Sequence, residues 1–131
     1  SSMVKGWDWF SIELDNKTEI MLYLIRNTSG QIQSVSSGTI VYPDSTYKIL
    51  QQEEFEVIAL NNYISKKSKA KYPSKWKINI PSENLRFTIT PLVKDQEIIS
   101  NIPYFPSYWE GACKVEGAIS GKAYVELTGY E

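Results

Sequence analysis

Residues 7–15 read Trp7-Asp8-Trp9-Phe10-Ser11-Ile12-Glu13-Leu14-Asp15, and residues 18–26 read Thr18-Glu19-Ile20-Met21-Leu22-Tyr23-Leu24-Ile25-Arg26. Both runs alternate with period two, which marks strands rather than helices. The second run is substantially apolar on both faces, which predicts cover on two sides. A closed barrel does that, and so does a sandwich against a second domain. Asn16-Lys17 between the runs forms a short hairpin connection.

Moving outward, Asn27-Thr28-Ser29-Gly30 is a turn cluster. Strands follow around residues 32–42, 45–50 and 53–60, with a break at Pro43-Asp44. Residues 61–74 are polar and lysine-rich and read as a loop. Strands resume near 75–80 and 85–90, and Pro91, Pro103 and Pro106 bracket an irregular stretch. The end, 108–117 and 122–130, is a last hairpin turning at Ser120-Gly121. No window carries a convincing helical stripe. The pattern predicts an all-β fold, an antiparallel barrel or sandwich of eight or more short strands.

Composition limits the chemistry. A chain of 131 residues is enough for one domain, drawn here over residues 1–131, and not comfortably two. The apolar runs are too short for a membrane span. The start, Ser1-Ser2-Met3, shows no cationic stretch followed by an apolar one. One cysteine, Cys113, excludes an intramolecular disulfide and a cysteine-based zinc site. Histidine is absent, which removes serine–histidine and cysteine–histidine nucleophiles and imidazole metal ligands. No metal-ligand spacing or phosphate loop is present, so no cofactor or metal is expected. A net charge of −1 gives the whole chain no field suited to gripping nucleic acid. Chemistry, if any, falls to carboxylates, tyrosines and lysines.

Four constellations stand out. Asp8 shares a face with Phe10, Ile12 and Leu14, beside Trp7 and Trp9 in sequence. An unpaired acid there has a raised pKa and suits a general acid. The alternative is a wet or hydrogen-bonded strand end. Arg26 shares the face of Ile20, Leu22 and Leu24, and is a partner for Asp8, for an anionic ligand group, or a surface cation. In the terminal hairpin, Trp109, Cys113, Val115, Val125 and Leu127 form a dry face. Glu110, Tyr124, Glu126 and Tyr130 form a polar one, either lining a cavity or solvated. Last, residues 66–77 hold six lysines, which read as a solvated loop or, more weakly, as a grip on single-stranded nucleic acid.

Whether Asp8 meets Arg26 depends on register. If opposed residue numbers sum to an even value, the two apolar faces match and the charges pair. A two-residue Asn16-Lys17 loop gives an odd sum and separates them. The apolar match favours the even register. A paired Asp8 is then expected to titrate low and act as a structural ion or an anion-site partner, not as a general acid.

Gly6-Trp7-Asp8-Trp9-Phe10, Glu19-Ile20-Met21-Leu22-Tyr23 with Arg26, Tyr72-Pro73 with Trp76, Tyr108-Trp109-Glu110-Gly111 and Tyr124-Val125-Glu126-Leu127-Thr128-Gly129-Tyr130 together resemble the second half of the AttH-like, carotenoid hydratase-like proteins. The resemblance runs from Gly6 to Tyr130. It implies a lipocalin-like β-barrel, the C-terminal half of a two-barrel protein whose partner is an N-terminal sister barrel. The family includes alkene hydratases, pericyclase-like relatives and proteins labelled as secreted hydrolases, with mostly apolar ligands. A secreted or extracytoplasmic location is implied by the resemblance alone. Members carry an acid and usually a histidine just before the Gly-Trp-Asp-Trp motif. This sequence begins after that segment, and a tryptophan usual ahead of the loop serine is replaced by Tyr63 before Ser65.

The pocket positions carried by the motifs and the terminal hairpin are Trp7, Asp8, Trp9, Arg26, Trp109, Glu110, Glu126 and Tyr130. Two functions remain open: a barrel that holds an apolar small molecule or completes its sister, and part of a hydratase, isomerase or pericyclase-like enzyme. A nucleic-acid-binding barrel is the weaker third.

Overall fold

Ten strands, all paired antiparallel, account for most of residues 3–131, which the computed structural model describes. They are β1 (Val4–Leu14), β2 (Glu19–Asn27), β3 (Ser37–Val41), β4 (Tyr47–Gln51), β5 (Glu56–Ile64), β6 (Lys71–Ile80), β7 (Leu85–Pro91), β8 (Glu97–Ile98), β9 (Tyr108–Gly117) and β10 (Gly121–Leu127). Their order across the sheet is β4-β3-β2-β1-β10-β9-β7-β6-β5, with β8 added to β9. The first and last of these strands therefore pair in the middle of the sheet, where Asp8 is opposite Leu127.

The sheet curls until its faces meet. Phe10 on β1 touches Trp76 on β6 edge-on, with ring centroids 5.4 Å apart, and Trp76 meets Trp109 on β9 at 6.3 Å. None of these strands is a neighbour of another in the sheet, so the rings fill the space it encloses. Ile12, Leu22, Leu50, Ile78 and Val125 complete a packed core. This is the lipocalin-like barrel, with a solid interior.

Strands β4 and β5, the two ends of the sheet, do not pair with each other. A single 3-10 turn at Gln52–Glu54 links them, and side chains bridge the seam. Tyr42 donates to Glu83 at 2.8 Å, and the Lys48 ammonium lies 3.7 Å from Glu54 and 3.8 Å from Glu83.

The first hairpin adopts the even register, with Glu13 opposite Glu19 and Asp8 opposite Leu24. It does so through a three-residue loop, Asp15-Asn16-Lys17, closed by the Leu14 amide on Thr18 O and the Lys17 amide on Leu14 O, each at 2.9 Å. Lys17 takes a left-handed φ of 73°, and the Asn16 side chain accepts the Thr18 amide at 3.0 Å. The extra residue restores the apolar match that a two-residue turn would break.

The loop expected over 61–74 is not there. Strand β5 continues to Ile64 and β6 begins at Lys71, leaving only 65–70 between them. The lysines of β6 sit at outward positions, alternating with buried Tyr72, Trp76 and Ile78. Conversely, the last strand stops at Leu127, short of the expected 130.

Candidate functional site

At one end of the barrel, the inward positions of β1 and β2 change from apolar to charged. Asp8 and Arg26 are only 6% and 8% exposed. Arg26 Nη2 donates to Asp8 Oδ1 at 3.2 Å and also to the Thr128 carbonyl. The Tyr130 hydroxyl donates to both Asp8 oxygens, at 2.8 and 2.9 Å, and the Arg26 guanidinium lies 4.0 Å from the centre of the Tyr130 ring. Gly6 makes this possible. A Cβ there would collide with the Thr128 carbonyl and the Gly129 backbone, which must pass close for Tyr130 to fold back under Arg26.

The net shift of the Asp8 pKa is upward despite the pairing, contrary to the expectation from sequence. Burial raises it above the usual carboxylate value, and this outweighs the charge of Arg26 and the bonds from Tyr130 and Arg26. Burial beside the Asp8 carboxylate pushes the Tyr130 phenol up as well.

A second cluster adjoins the first, since Tyr72 and Tyr130 have ring centroids 5.8 Å apart. Glu97 on β8 accepts three hydroxyls: Ser65, Ser68 at 2.5 Å and Tyr72 at 2.6 Å. Its neighbour Gln96 lies over Gly111 and bonds the Ala112 amide at 3.1 Å and carbonyl at 3.2 Å. The Trp109 indole N–H donates to Lys94 O at 2.8 Å. Residues 92–107 thus form a strap latched across the barrel end. Desolvation pushes the Glu97 pKa up, but the three hydroxyls together outweigh it, and the net direction is down.

Because its folded pKa is lowered, ionised Glu97 stabilises the fold above the ordinary carboxylate pKa, and that contribution is lost as pH falls through the lowered value. Glu97→Gln is expected to cost about 1–2 kcal/mol at neutral pH, since an amide cannot satisfy three donors. It should also flatten the acid limb of the stability profile. Urea unfolding of both proteins from pH 3 to 7 checks this, and parallel profiles would contradict it.

On the outer side of the same strands lies an open apolar groove of about 630 Å³. Trp7 and Tyr108 form its floor, and Ile98, Ile99, Ile102 and Phe105 of the strap form its wall. Adjacent residues of β8 thus serve different sides, with Glu97 fastening the strap and Ile98 lining the groove.

The eight expected pocket positions divide between the two sides. Asp8, Arg26 and Tyr130 come together inside; Trp109 is also inside, 1% exposed, but at the end of the aromatic row against Trp76. Trp7, Trp9, Glu110 and Glu126 are on the outer face, with Trp9 opposite Glu126 and Glu126 opposite Glu110. Trp7 and Glu126 line the groove, and Tyr108 donates to Glu110 at 2.9 Å. The polar face of the terminal hairpin is therefore an outer face along β9 and β10, while Tyr130, beyond the end of β10 at Leu127, turns inward to Asp8. Cys113 is buried, with its thiol pKa pushed up to about 12 by desolvation, which leaves it unreactive.

Sequence reasoning missed Glu97, Ser65, Ser68 and Tyr72 as a unit. The only signal was a carboxylate in the proline-bracketed stretch and a serine pair in the lysine run, with nothing to join them.

The curled antiparallel sheet and its plugged end define a lipocalin-like domain. The chain belongs to the AttH-like family, whose model matches residues 1–130. A crystal structure of an AttH protein from Nitrosomonas europaea superimposes with a TM-score of 0.88 at 26% identity, covering 99% of this chain and 40% of that one. Kievitone hydratase from Nectria haematococca shares the fold at a TM-score of 0.72 and 18% identity, covering 95% of this chain and 39% of that one. The chain thus spans about two fifths of each of these proteins. No curated protein matches it by sequence.

Proposed function

We propose that this chain is one lipocalin-like half of a two-barrel protein and that the groove beneath the strap is the seat of the sister barrel. The observation that carries this is the contrast between the two sides of β1. The interior is filled by Phe10, Trp76 and Trp109, while outside Ile102 is 63% and Phe105 67% exposed beside Trp7. Apolar side chains standing together in water mark a surface made to be covered. The chain's coverage of only about two fifths of its structural relatives supports a further domain to cover it.

Hydroxyl-radical footprinting tests the proposal on the longer polypeptide that contains both barrels and on the 131-residue chain. Trp7, Phe105 and Tyr108 should be protected only in the longer form, while Met21 and Tyr47, elsewhere on the surface, react equally in both. Equal labelling throughout would overturn it.

A second reading keeps the groove for an apolar ligand, favoured by its volume and its aromatic floor. Saturable quenching of Trp7 by a terpenoid in the longer polypeptide would favour it over docking. A share in alkene hydration has one supporting feature, the raised pKa of Asp8, and the kievitone hydratase likeness bears on fold alone. Asp8 faces the filled interior, on the other side of β1 from the groove, which weighs against that role.

A further inference from the structure

Charge in this protein is strongly segregated. From residue 57 to residue 82 there are six lysines and no acid. The remaining eight basic residues face fifteen acidic ones, so the rest of the chain is net negative. The fold gathers the lysines on the terminal hairpin of the sheet, β5–β6, and on its 65–70 turn.

On the outer face of this hairpin, Ile58 is opposite Lys77, Asn61 is opposite Lys75, and Ile64 is opposite Lys71. Ile58 and Ile64 on the sheet's end strand, with Asn61 between them and Leu60 at the bulge, therefore lie beside a cationic row. Ile58, Leu60 and Ile64 are 43%, 46% and 60% exposed. Arg86 of β7, opposite Asn79, extends the cationic row. Among the described residues, Lys71, Lys75 and Lys77 enter no ion pair. Glu56, the one acid on β5, lies at the far end and accepts the Asn79 amide at 3.1 Å.

We propose that this face of β5–β6, with its 65–70 turn, docks on an anionic lipid surface. Isoleucine and leucine side chains enter the apolar edge of the bilayer while lysines on flexible stems reach the headgroup charge, the pairing that interfacial elements use. The face is distinct from the groove under the strap and does not depend on what fills that groove.

Two other occupants fit less well. An acidic peptide strand added to the free edge of β5 would need a regular ladder, and bulges between Ala59 and Asn61 and between Asn61 and Asn62 interrupt it. Single-stranded nucleic acid stacks its bases on aromatic rings, whereas this face offers aliphatic side chains.

The test is co-sedimentation of the 131-residue chain with vesicles of phosphatidylcholine, alone or with one third phosphatidylserine, at 0.05 and 0.5 M NaCl. Binding is expected only to the anionic vesicles, and at least about tenfold weaker at high salt. The triple variant K71Q/K75Q/K77Q should bind about 100-fold more weakly, at about fivefold per lysine. A control variant with the same change in net charge, K17Q/K114Q/K122Q, should bind within about threefold of the parent. I58S/I64S should lose about tenfold or more. All these positions are at the surface, and unchanged thermal melts establish that the variants fold. Equal loss in the two lysine triples, equal binding to both vesicle types, or no binding to anionic vesicles would overturn the proposal. So would binding of polyglutamate or an oligonucleotide without vesicle binding.

Discussion

Replacing Arg26 by alanine is expected to destabilise the fold by about 3–5 kcal/mol at neutral pH, a large part of what holds a domain of this size together. The loss of the Arg26–Asp8 contact is the smaller part of that cost. Most of it is the Asp8 carboxylate, 6% exposed and left with only the Tyr130 hydroxyl to hold it. Such a group can escape by taking a proton, and burial already raises its pKa with Arg26 present. The sign follows: an acid whose folded pKa is raised contributes stability below its unfolded pKa and loses it as pH rises through the folded one. The R26A defect should therefore be smaller at pH 4.5 than at pH 7.5, and a cost that does not change with pH would contradict the assignment. The double variant D8N/R26A should be more stable at pH 7.5 than R26A alone, because no charge remains to be stranded. Urea unfolding at the two pH values reads all three.

Trp76→Ala is the second large effect, also about 3–5 kcal/mol. Trp76 is 1% exposed and touches rings from two strands that are not its neighbours, Phe10 on β1 and Trp109 on β9. Its indole is the prop against which two walls of the curled sheet lean, so the space it leaves cannot close by a local shift. Trp7→Ala, by contrast, removes a ring that is 37% exposed on the outer face, and should cost no more than about 1 kcal/mol. Comparable losses in the two variants would mean that the interior and the outer face had been assigned the wrong way round.

Much of this arrangement is legible in the alternation of residues 7–26. Period two sets Asp8, Phe10, Ile12 and Leu14 on one face, and matching them to Ile20, Leu22 and Leu24 selects the register the structure adopts. The match outweighs turn preference, and Lys17 accepts a left-handed backbone to allow it. Composition misled where charge and irregularity coincide. Asn61-Asn62 and the lysines look like a loop, yet on an outward face with solvent beside it a lysine is an ordinary strand residue. The Asp8 pKa went the other way because pairing can be read from sequence and depth of burial cannot. The Glu97 latch was hidden for a different reason. It joins two irregular stretches whose meeting depends on the curl of the whole sheet, which no local pattern encodes.

The pairing of β1 with β10 has a consequence for how the protein is made. Within this domain a ribosome delivers β1 first and β10 last, so one long edge of β1, the strand of Phe10, Ile12 and Leu14, waits unpaired while the residues between them are made. At ordinary elongation rates that interval is on the order of ten seconds, long compared with hairpin formation. The β1–β2 and β5–β6 hairpins can form as they emerge, but the barrel cannot close around Trp76 until β10 has emerged. A chain stalled short of residue 121 would present an apolar strand edge to its neighbours on the polysome. Emergence of β10, rather than any step before it, becomes the event that lets this barrel close.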